Sequence, residues 1–169
     1  MRSLSIIYSS IIAENLPILK RLLLKRSVFE EIRRESEKAY PLEACGVLFG
    51  RLEGEEAIVS KYRSLRNVIE TPGRFWFSER EWMKVICEER KLGLDYIGLF
   101  HSHPRGSPIP SPADRHRMLE CPGEVWVIAA YEPKKLFKLC AWVILDLNWS
   151  FSKIYITVVQ EGISGSHTA

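Results

Sequence analysis

Several features are missing from this chain of 169 residues, and each absence excludes a class of protein. No apolar stretch reaches the roughly 20 uninterrupted residues that a membrane-spanning helix needs. Residues 4–24 are apolar, but charged residues and a proline interrupt them, and they lack the order of segments found in a signal peptide. We therefore expect a cytoplasmic protein without a membrane anchor.

Cysteine is scarce and scattered, and no CxxC pair occurs. Reduced core residues are the simplest interpretation, with a disulfide as the alternative, and zinc binding through thiolates is not expected. The four positions are Cys45, Cys87, Cys121 and Cys140.

Charge of one sign is not concentrated anywhere. The formal net charge is +3, from 24 basic and 21 acidic residues that are interspersed along the chain. No Lys/Arg run is long enough for a nucleic-acid-binding arm, so nucleic acid is not an expected partner. The hydrophobic content of 46% is sufficient for one domain with a core.

What the chain does contain is a pair of histidines followed by a proline-rich loop. His101 and His103 end an apolar run, and residues i and i+2 of a strand face the same side, about 6.5–7 Å apart along the chain. Both rings can therefore turn toward one ion. The alternative is a pair of half-buried histidines bonded to backbone carbonyls.

After the loop, Ser111, Pro112 and Asp114 have the spacing of a helix start, with Ser at the N-cap, Pro at N1 and an acid at N3. A plain capping box explains these residues without a metal. The two interpretations are compatible, because the cap would aim the carboxylate back toward the strand. Two imidazoles and one carboxylate would leave a fourth position open, as in catalytic zinc sites.

Glu43 lies upstream, between a predicted helix and a predicted apolar strand. A carboxylate near a metal-activated water is a common general base in hydrolysis. From the local sequence alone, a solvated glutamate beside Pro41 is the simpler interpretation.

Together these residues resemble the signature of the JAMM (MPN+) metalloproteases: Glu43, the string His101-Ser102-His103, seven residues (104–110), Ser111 and Asp114. The segment from Glu43 to Leu48 is similar to the prokaryotic branch, and the resemblance covers roughly residues 28–159. It implies that His101, His103 and Asp114 hold Zn²⁺.

The resemblance also implies roles for two further residues. Glu43 would assist attack of a zinc-bound water as acid and base, and Ser111 would donate to the oxyanion. Ser102, between the ligands, should face the other side of the strand and pack or bond to backbone.

The activity that this resemblance implies is that of a zinc-dependent isopeptidase or peptidase. It would hydrolyse the amide bond after the C-terminal glycine tail of a ubiquitin-like (β-grasp) or sulfur-carrier protein. The tail could lie along an exposed strand edge, framed by residues 66–77 and 104–110.

Two alternatives are a non-catalytic MPN scaffold or binding module and a RadC-like protein associated with DNA repair. The complete motif argues against the scaffold. Ser102, where the RadC-like motif has Asn, argues against the second alternative.

The order of predicted elements gives an α/β fold, a mixed β-sheet sandwiched by helices, which the resemblance makes cytidine-deaminase-like. Capping boxes at Ser27–Glu30 and Ser78–Glu81 predict two helix starts. The predicted strands span 44–51, 56–64, 95–102, 125–130, 136–145 and 151–159, and a short helix spans 112–119.

Three segments are predicted: an N-terminal extension (1–26), a JAMM/MPN+ catalytic domain (27–160) and a disordered tail (161–169). The extension would be either an amphipathic helix or a segment outside the folded core.

Overall fold

The computed structural model describes residues 19–121, 123–144 and 151–162. Within these ranges the chain forms seven strands, β1 Arg21–Lys25, β2 Cys45–Glu53, β3 Glu56–Leu65, β4 Asp95–His103, β5 Val125–Ala130, β6 Lys138–Ile144 and β7 Phe151–Val159. It also forms three helices, α1 Arg26–Ala39, α2 Glu79–Lys91 and α3 Pro112–Met118.

The strands form one mixed sheet in the order β1-β3-β2-β4-β5-β6-β7, which closes because β1 also pairs with β7. The pairs β1–β3, β1–β7 and β4–β5 are parallel, and the remaining pairs are antiparallel. The predicted mixed α/β architecture is therefore present, but the sheet is closed rather than an open layer. Every described strand has a neighbour on both sides, so no strand is the free sheet edge expected to receive a substrate tail.

The sheet begins earlier in the chain than the predicted domain boundary at residue 27. Strand β1 falls inside the predicted extension, and Leu22 and Leu24 are fully buried. The burial of its residues alternates as in a strand, but its Arg-Leu-Leu-Leu-Lys sequence does not alternate between polar and apolar residues and lies within a longer apolar stretch, so the pattern does not predict a strand. Residues 1–18 of the predicted extension lie outside the described residues.

Helices pack against both faces of the sheet. Val28 and Ile32 of α1 join one apolar cluster, and Trp82 and Ile86 of α2 join the second. Strand β2 contributes alternate residues to the two clusters, as a strand buried on both faces should. Among the described helices, none is long and apolar enough to cross a membrane.

One of the two predicted capping boxes is wrong. Helix α1 begins one residue before Ser27, without a side-chain cap, and the Ser27 N–H donates to Glu161 Oε1 at 3.0 Å. The Glu161 carboxylate thus accepts from the Ser27 N–H, the donor that would bond to the Glu30 side chain in a capping box. At α2, the Ser78 hydroxyl accepts from the Glu81 N–H at 3.4 Å, as predicted.

The predicted tail contributes two described residues, Glu161 and Gly162, and residues 163–169 lie outside the described part. The four cysteines lie among the described residues and no disulfide joins them, but only Cys45 is buried, so the predicted core position holds for one of the four. Cys87, however, is exposed on α2 rather than buried in the core.

Candidate active site

Strand β4 places the two histidines at its carboxyl end, between β2 and β5. His101 is fully buried, and the His103 side chain is 12% exposed. Their Nε2 atoms lie 3.0 Å apart. The two-residue spacing thus brings both rings to one point, as the strand geometry predicts.

Helix α3 brings the carboxylate of Asp114 to the same point. Asp114 Oδ1 lies 3.3 Å from His101 Nε2, and Oδ2 lies 3.3 Å from His103 Nε2. A capping box fixes this direction: Ser111 Oγ accepts from the Asp114 N–H at 3.2 Å, and Asp114 Oδ2 accepts from the Ser111 N–H at 2.7 Å. The cap and the convergence on the histidines coexist.

The loop 104–110 connects these two elements and is held by its own carbonyl groups. His103 Nδ1 donates to Ser107 O at 2.9 Å, and Trp142 Nε1 donates to Pro108 O at 2.7 Å. The first bond keeps the proton on Nδ1 and leaves the Nε2 lone pair free for a ligand bond. No pattern in the sequence indicates this contact between Trp142 and the loop, because the two lie 34 residues apart.

The three donor groups fit a tetrahedral metal ion. In a tetrahedron whose corners lie about 2.0 Å from the centre, the corners are about 3.3 Å apart. The separations of 3.0–3.3 Å between the His101, His103 and Asp114 atoms match that edge. The fit extends to chemistry, because imidazole and carboxylate suit zinc.

Electrostatics favour a cation at this point. Burial lowers the pKa of His101, which keeps its ring neutral and able to bind a metal. Burial acts to raise the pKa of Asp114, but the adjacent histidines and the Ser111 bond outweigh it, so the pKa lies well below its usual range. The Asp114 carboxylate therefore stays charged, and the pKa of His103 is raised, because its bonds to Asp114 and Ser107 outweigh the effect of its burial.

Aromatic side chains hold His101 from two sides. The Phe75 ring stacks on the imidazole with centroids 4.4 Å apart, and Trp126 meets it edge-on at 5.7 Å. His101 Nδ1 is buried and has no hydrogen-bond partner among the described residues. Ring packing therefore takes the place of the usual orienting bond, a role for Phe75 that sequence reasoning missed.

Glu43 faces the same open cavity of about 770 Å³ as His103, Ser111 and Asp114. Its side chain is buried, and this burial raises the pKa of Glu43 to about 7, against the opposing influence of His103. A carboxyl with a pKa near neutrality can both accept and release a proton. The simpler interpretation of a solvated glutamate is therefore wrong.

Ser102 occupies the opposite side of β4, as predicted. Its hydroxyl accepts from the Ala44 N–H at 2.9 Å, and its own N–H donates to Ala44 O at 3.0 Å. These bonds attach the residue after Glu43 to the strand that carries the histidines.

Comparison with known proteins identifies the family. The model of Prok-JAB, prokaryotic homologues of the JAB domain, matches residues 25–145. The chain belongs to this family.

Two named relatives and one solved structure agree with that assignment. A Pyrococcus furiosus protein named "Desampylase" is 34% identical over 69% of this chain and 76% of its own length. A Thermus thermophilus protein named "Probable TtuB-protein conjugate cleaving protease" is 31% identical over 55% of this chain and 60% of its own. A solution structure from Desulfitobacterium hafniense is 29% identical, with a TM-score of 0.74 over 83% of this chain and 94% of that one.

This Prok-JAB chain is thus a hydrolase of the JAMM isopeptidase class. Three arginines outside the motif also line its cavity: Arg74, Arg105 and Arg117. Arg117 lies over the Trp76 ring, 3.4 Å from the centroid. The cavity lining therefore carries basic groups beside the carboxyl groups of Glu43 and Asp114.

Proposed function

We propose that this chain is a zinc-dependent isopeptidase or peptidase that hydrolyses the amide bond after the C-terminal glycine tail of a ubiquitin-like or sulfur-carrier protein. The observation that carries the proposal is the convergence of His101, His103 and Asp114 beside Glu43 in an open cavity. The names of the two relatives, one a desampylase and one a conjugate-cleaving protease, support a modifier conjugate as the substrate.

His101, His103 and Asp114 would hold the metal through the atoms that face one another. When bound, zinc would lower the pKa of a water toward about 7 and polarise the carbonyl that is attacked. Residues of the chain itself would transfer the protons and stabilise the negative charge on the carbonyl oxygen.

Glu43 would act as general base and then as general acid. It would take a proton from the attacking water and hand it to the departing amine, and its pKa of about 7 suits both steps. The amine product would leave with that proton, and the new carboxyl group of the modifier would release the second proton of the water to solvent, which leaves a carboxylate.

Ser111 would stabilise the negative charge on the carbonyl oxygen. Its oxygen already accepts from the Asp114 N–H, but the hydroxyl hydrogen remains able to donate. Removing a donor of this type costs on the order of 10²–10³ in rate in other hydrolases.

The cavity walls suit an extended tail with small side chains. Residues of loop 66–78, including Pro72 and Gly73, form one wall, and Pro104 and Arg105 form part of the other. Because none of the seven described strands has a free edge, backbone groups of these loops would replace the sheet edge as partners of the tail.

The test is incubation of zinc-loaded protein with fusions of the host's β-grasp modifiers to a reporter. Each fusion is compared with a matched version whose final two glycines are replaced by proline. We expect cleavage after the glycine tail, loss of cleavage with a chelator, and none of the proline version. Binding without cleavage of any fusion would instead support the scaffold, and tight, salt-sensitive binding of DNA would support the RadC-like alternative.

A further inference from the structure

We propose that Asn67 is a positioning residue that joins the backbone of Glu43 to the loop lining the cavity. The inference rests on the proposed role of Glu43 as the general base. Asn67 lies outside the signature motif, two residues after the end of β3.

The Asn67 side chain uses its full set of amide groups. Its Nδ2 donates to Glu43 O at 3.0 Å and to Arg74 O at 3.2 Å. Its Oδ1 accepts from the Ile69 N–H at 2.9 Å and from the Trp76 N–H at 3.2 Å. A side-chain amide has two donor hydrogens and one acceptor oxygen with two lone pairs, so no hydrogen-bonding capacity remains.

The bond to Glu43 fills a gap in the sheet ladder. Strand β2 begins at Cys45, and of the two residues before it Ala44 still accepts a backbone bond from the Ser102 N–H of β4, whereas Glu43 lies outside the strand pairing. Side chains bind the other groups here: Asn67 Nδ2 donates to Glu43 O, Ser102 Oγ accepts from the Ala44 N–H, and Tyr62 Oη donates to Cys45 O at the start of β2, 3.1 Å away. Of these side chains, that of Asn67 bonds to the backbone of the general base itself.

The other three bonds shape loop 66–78, which joins β3 to α2 without regular secondary structure. One backbone bond, from the Val68 N–H to Trp76 O at 2.8 Å, brings its two arms together, and Asn67 lies between them. The loop supplies Phe75, which stacks on His101, and Arg74, which lines the cavity. The Asn67 side chain therefore fixes the general base relative to the loop that lines the cavity.

The donors and the acceptor of Asn67 serve different partners, which makes the proposal separable from simple loop stabilisation. Asn67→Asp keeps the acceptor for Ile69 and Trp76 but removes both donors, including the one to Glu43. Asn67→Ala removes all four bonds. Thr71→Ala is the matched control, because Thr71 is exposed in the same loop and does not line the cavity.

The experiment measures kcat, KM and zinc content of the three variants on a cleavable modifier fusion. We expect Asn67→Asp to lower kcat by about tenfold or more with KM changed less than about threefold, since a small misplacement of a catalytic group has large effects on rate. Asn67→Ala should lower kcat similarly and also raise KM severalfold. Zinc content should equal that of the parent in all three variants, and Thr71→Ala should match the parent throughout.

Amide NMR gives a readout that does not depend on activity. The Ala44 amide resonance, adjacent to the Glu43 carbonyl, should shift in both Asn67 variants. Hydrogen exchange of the Ile69 and Trp76 amides should accelerate in Asn67→Ala and stay near the parent rate in Asn67→Asp. A kcat of Asn67→Asp within twofold of the parent, or an unmoved Ala44 resonance, would overturn the proposal. If the parent cleaves no fusion, the proposed function fails, and the NMR result alone decides whether Asn67 ties Glu43 to the loop.

Discussion

The two ring nitrogens of His103 have different partners. Its Nδ1 faces Ser107 O at 2.9 Å, and its Nε2 faces both His101 and Asp114. The backbone contact fixes the tautomer, so the lone pair that remains is directed at the proposed metal position. A histidine that was simply packed in a core would not need this arrangement.

The substitution Glu43→Gln tests the proposed general base. The amide cannot take a proton from water, so we expect hydrolysis to fall by about 10²–10⁴ while zinc stays bound. Activity and elemental analysis of the purified variant are the measurements. Glu37→Gln, an exposed change on α1, is the matched control and should behave as the parent. Full activity of Glu43→Gln would remove Glu43 from the mechanism.

The sequence predicted the residues whose spacing is local, and it missed those whose contacts are distant. His101 and His103 are two positions apart, and Ser111 and Asp114 lie within one helix turn, so their relative geometry follows from strand and helix periods. The stacking of Phe75 on His101 joins residues far apart in the chain. Nothing in the local pattern of Phe75 distinguishes it from an ordinary core aromatic.

The pairing of strand β4 with β5 depends on a glycine. Gly98 faces β5, and a Cβ placed there would lie 2.0 Å from Val125 O, a contact that no side chain tolerates. The close approach lets β4 and β5 pair in parallel at Gly98 and Val125, at the start of the register that continues to His101 and His103.

Gly98→Ala should therefore force β4 from β5. We expect the free energy of unfolding to fall by about 3 kcal/mol, the upper end of typical overpacking costs, and zinc binding to weaken with it. Gly93→Ala is the control: Gly93 has φ +81° but open space around it, so we expect about 1 kcal/mol and unchanged zinc binding. Urea unfolding and zinc titration measure both, and equal effects of the two changes would contradict this account of β4.

Strand β1 illustrates why element boundaries were less predictable than element types. Strands 125–130 and 151–159 were predicted with the bounds observed, because turn residues flank each of them. Strand β1 runs directly into α1 with no turn between them, and no glycine or other turn residue stands immediately before its start within the apolar stretch.

At the scale of the whole molecule, closure of the sheet could not be deduced from the chain order. It requires pairing of β1 with β7, which lie at opposite ends of the described sequence. The contact between Ser27 and Glu161 reinforces that join. Closure removes the free edge and moves the proposed substrate groove to the loops.

A buried carboxyl in the second cluster should make stability depend on pH. Glu124 accepts hydrogen bonds from Tyr96 Oη and from Trp126 Nε1, the latter at 3.0 Å. Burial raises the pKa of Glu124 from 4.5 to about 7, although these two bonds oppose the change. Between these values the folded protein holds a proton that the unfolded chain has lost.

The free energy of unfolding should therefore fall as pH rises from about 4.5 to 7 and level off above 7. The difference corresponds to about 3 kcal/mol. Urea unfolding between pH 5 and 8 of the parent and of Glu124→Gln isolates this contribution, because all other titrating groups are shared. A constant difference between the two proteins across that range would contradict the prediction.

Calorimetric titration of the metal-free protein with zinc shows whether His101, His103 and Asp114 hold one zinc ion per chain. We expect one ion per chain for the parent and for Glu43→Gln, and binding at least about tenfold weaker for His101→Ala and Asp114→Asn, because each loses one ligand of the set. Binding of zinc with equal affinity by Asp114→Asn, or no binding by the parent, would contradict the account.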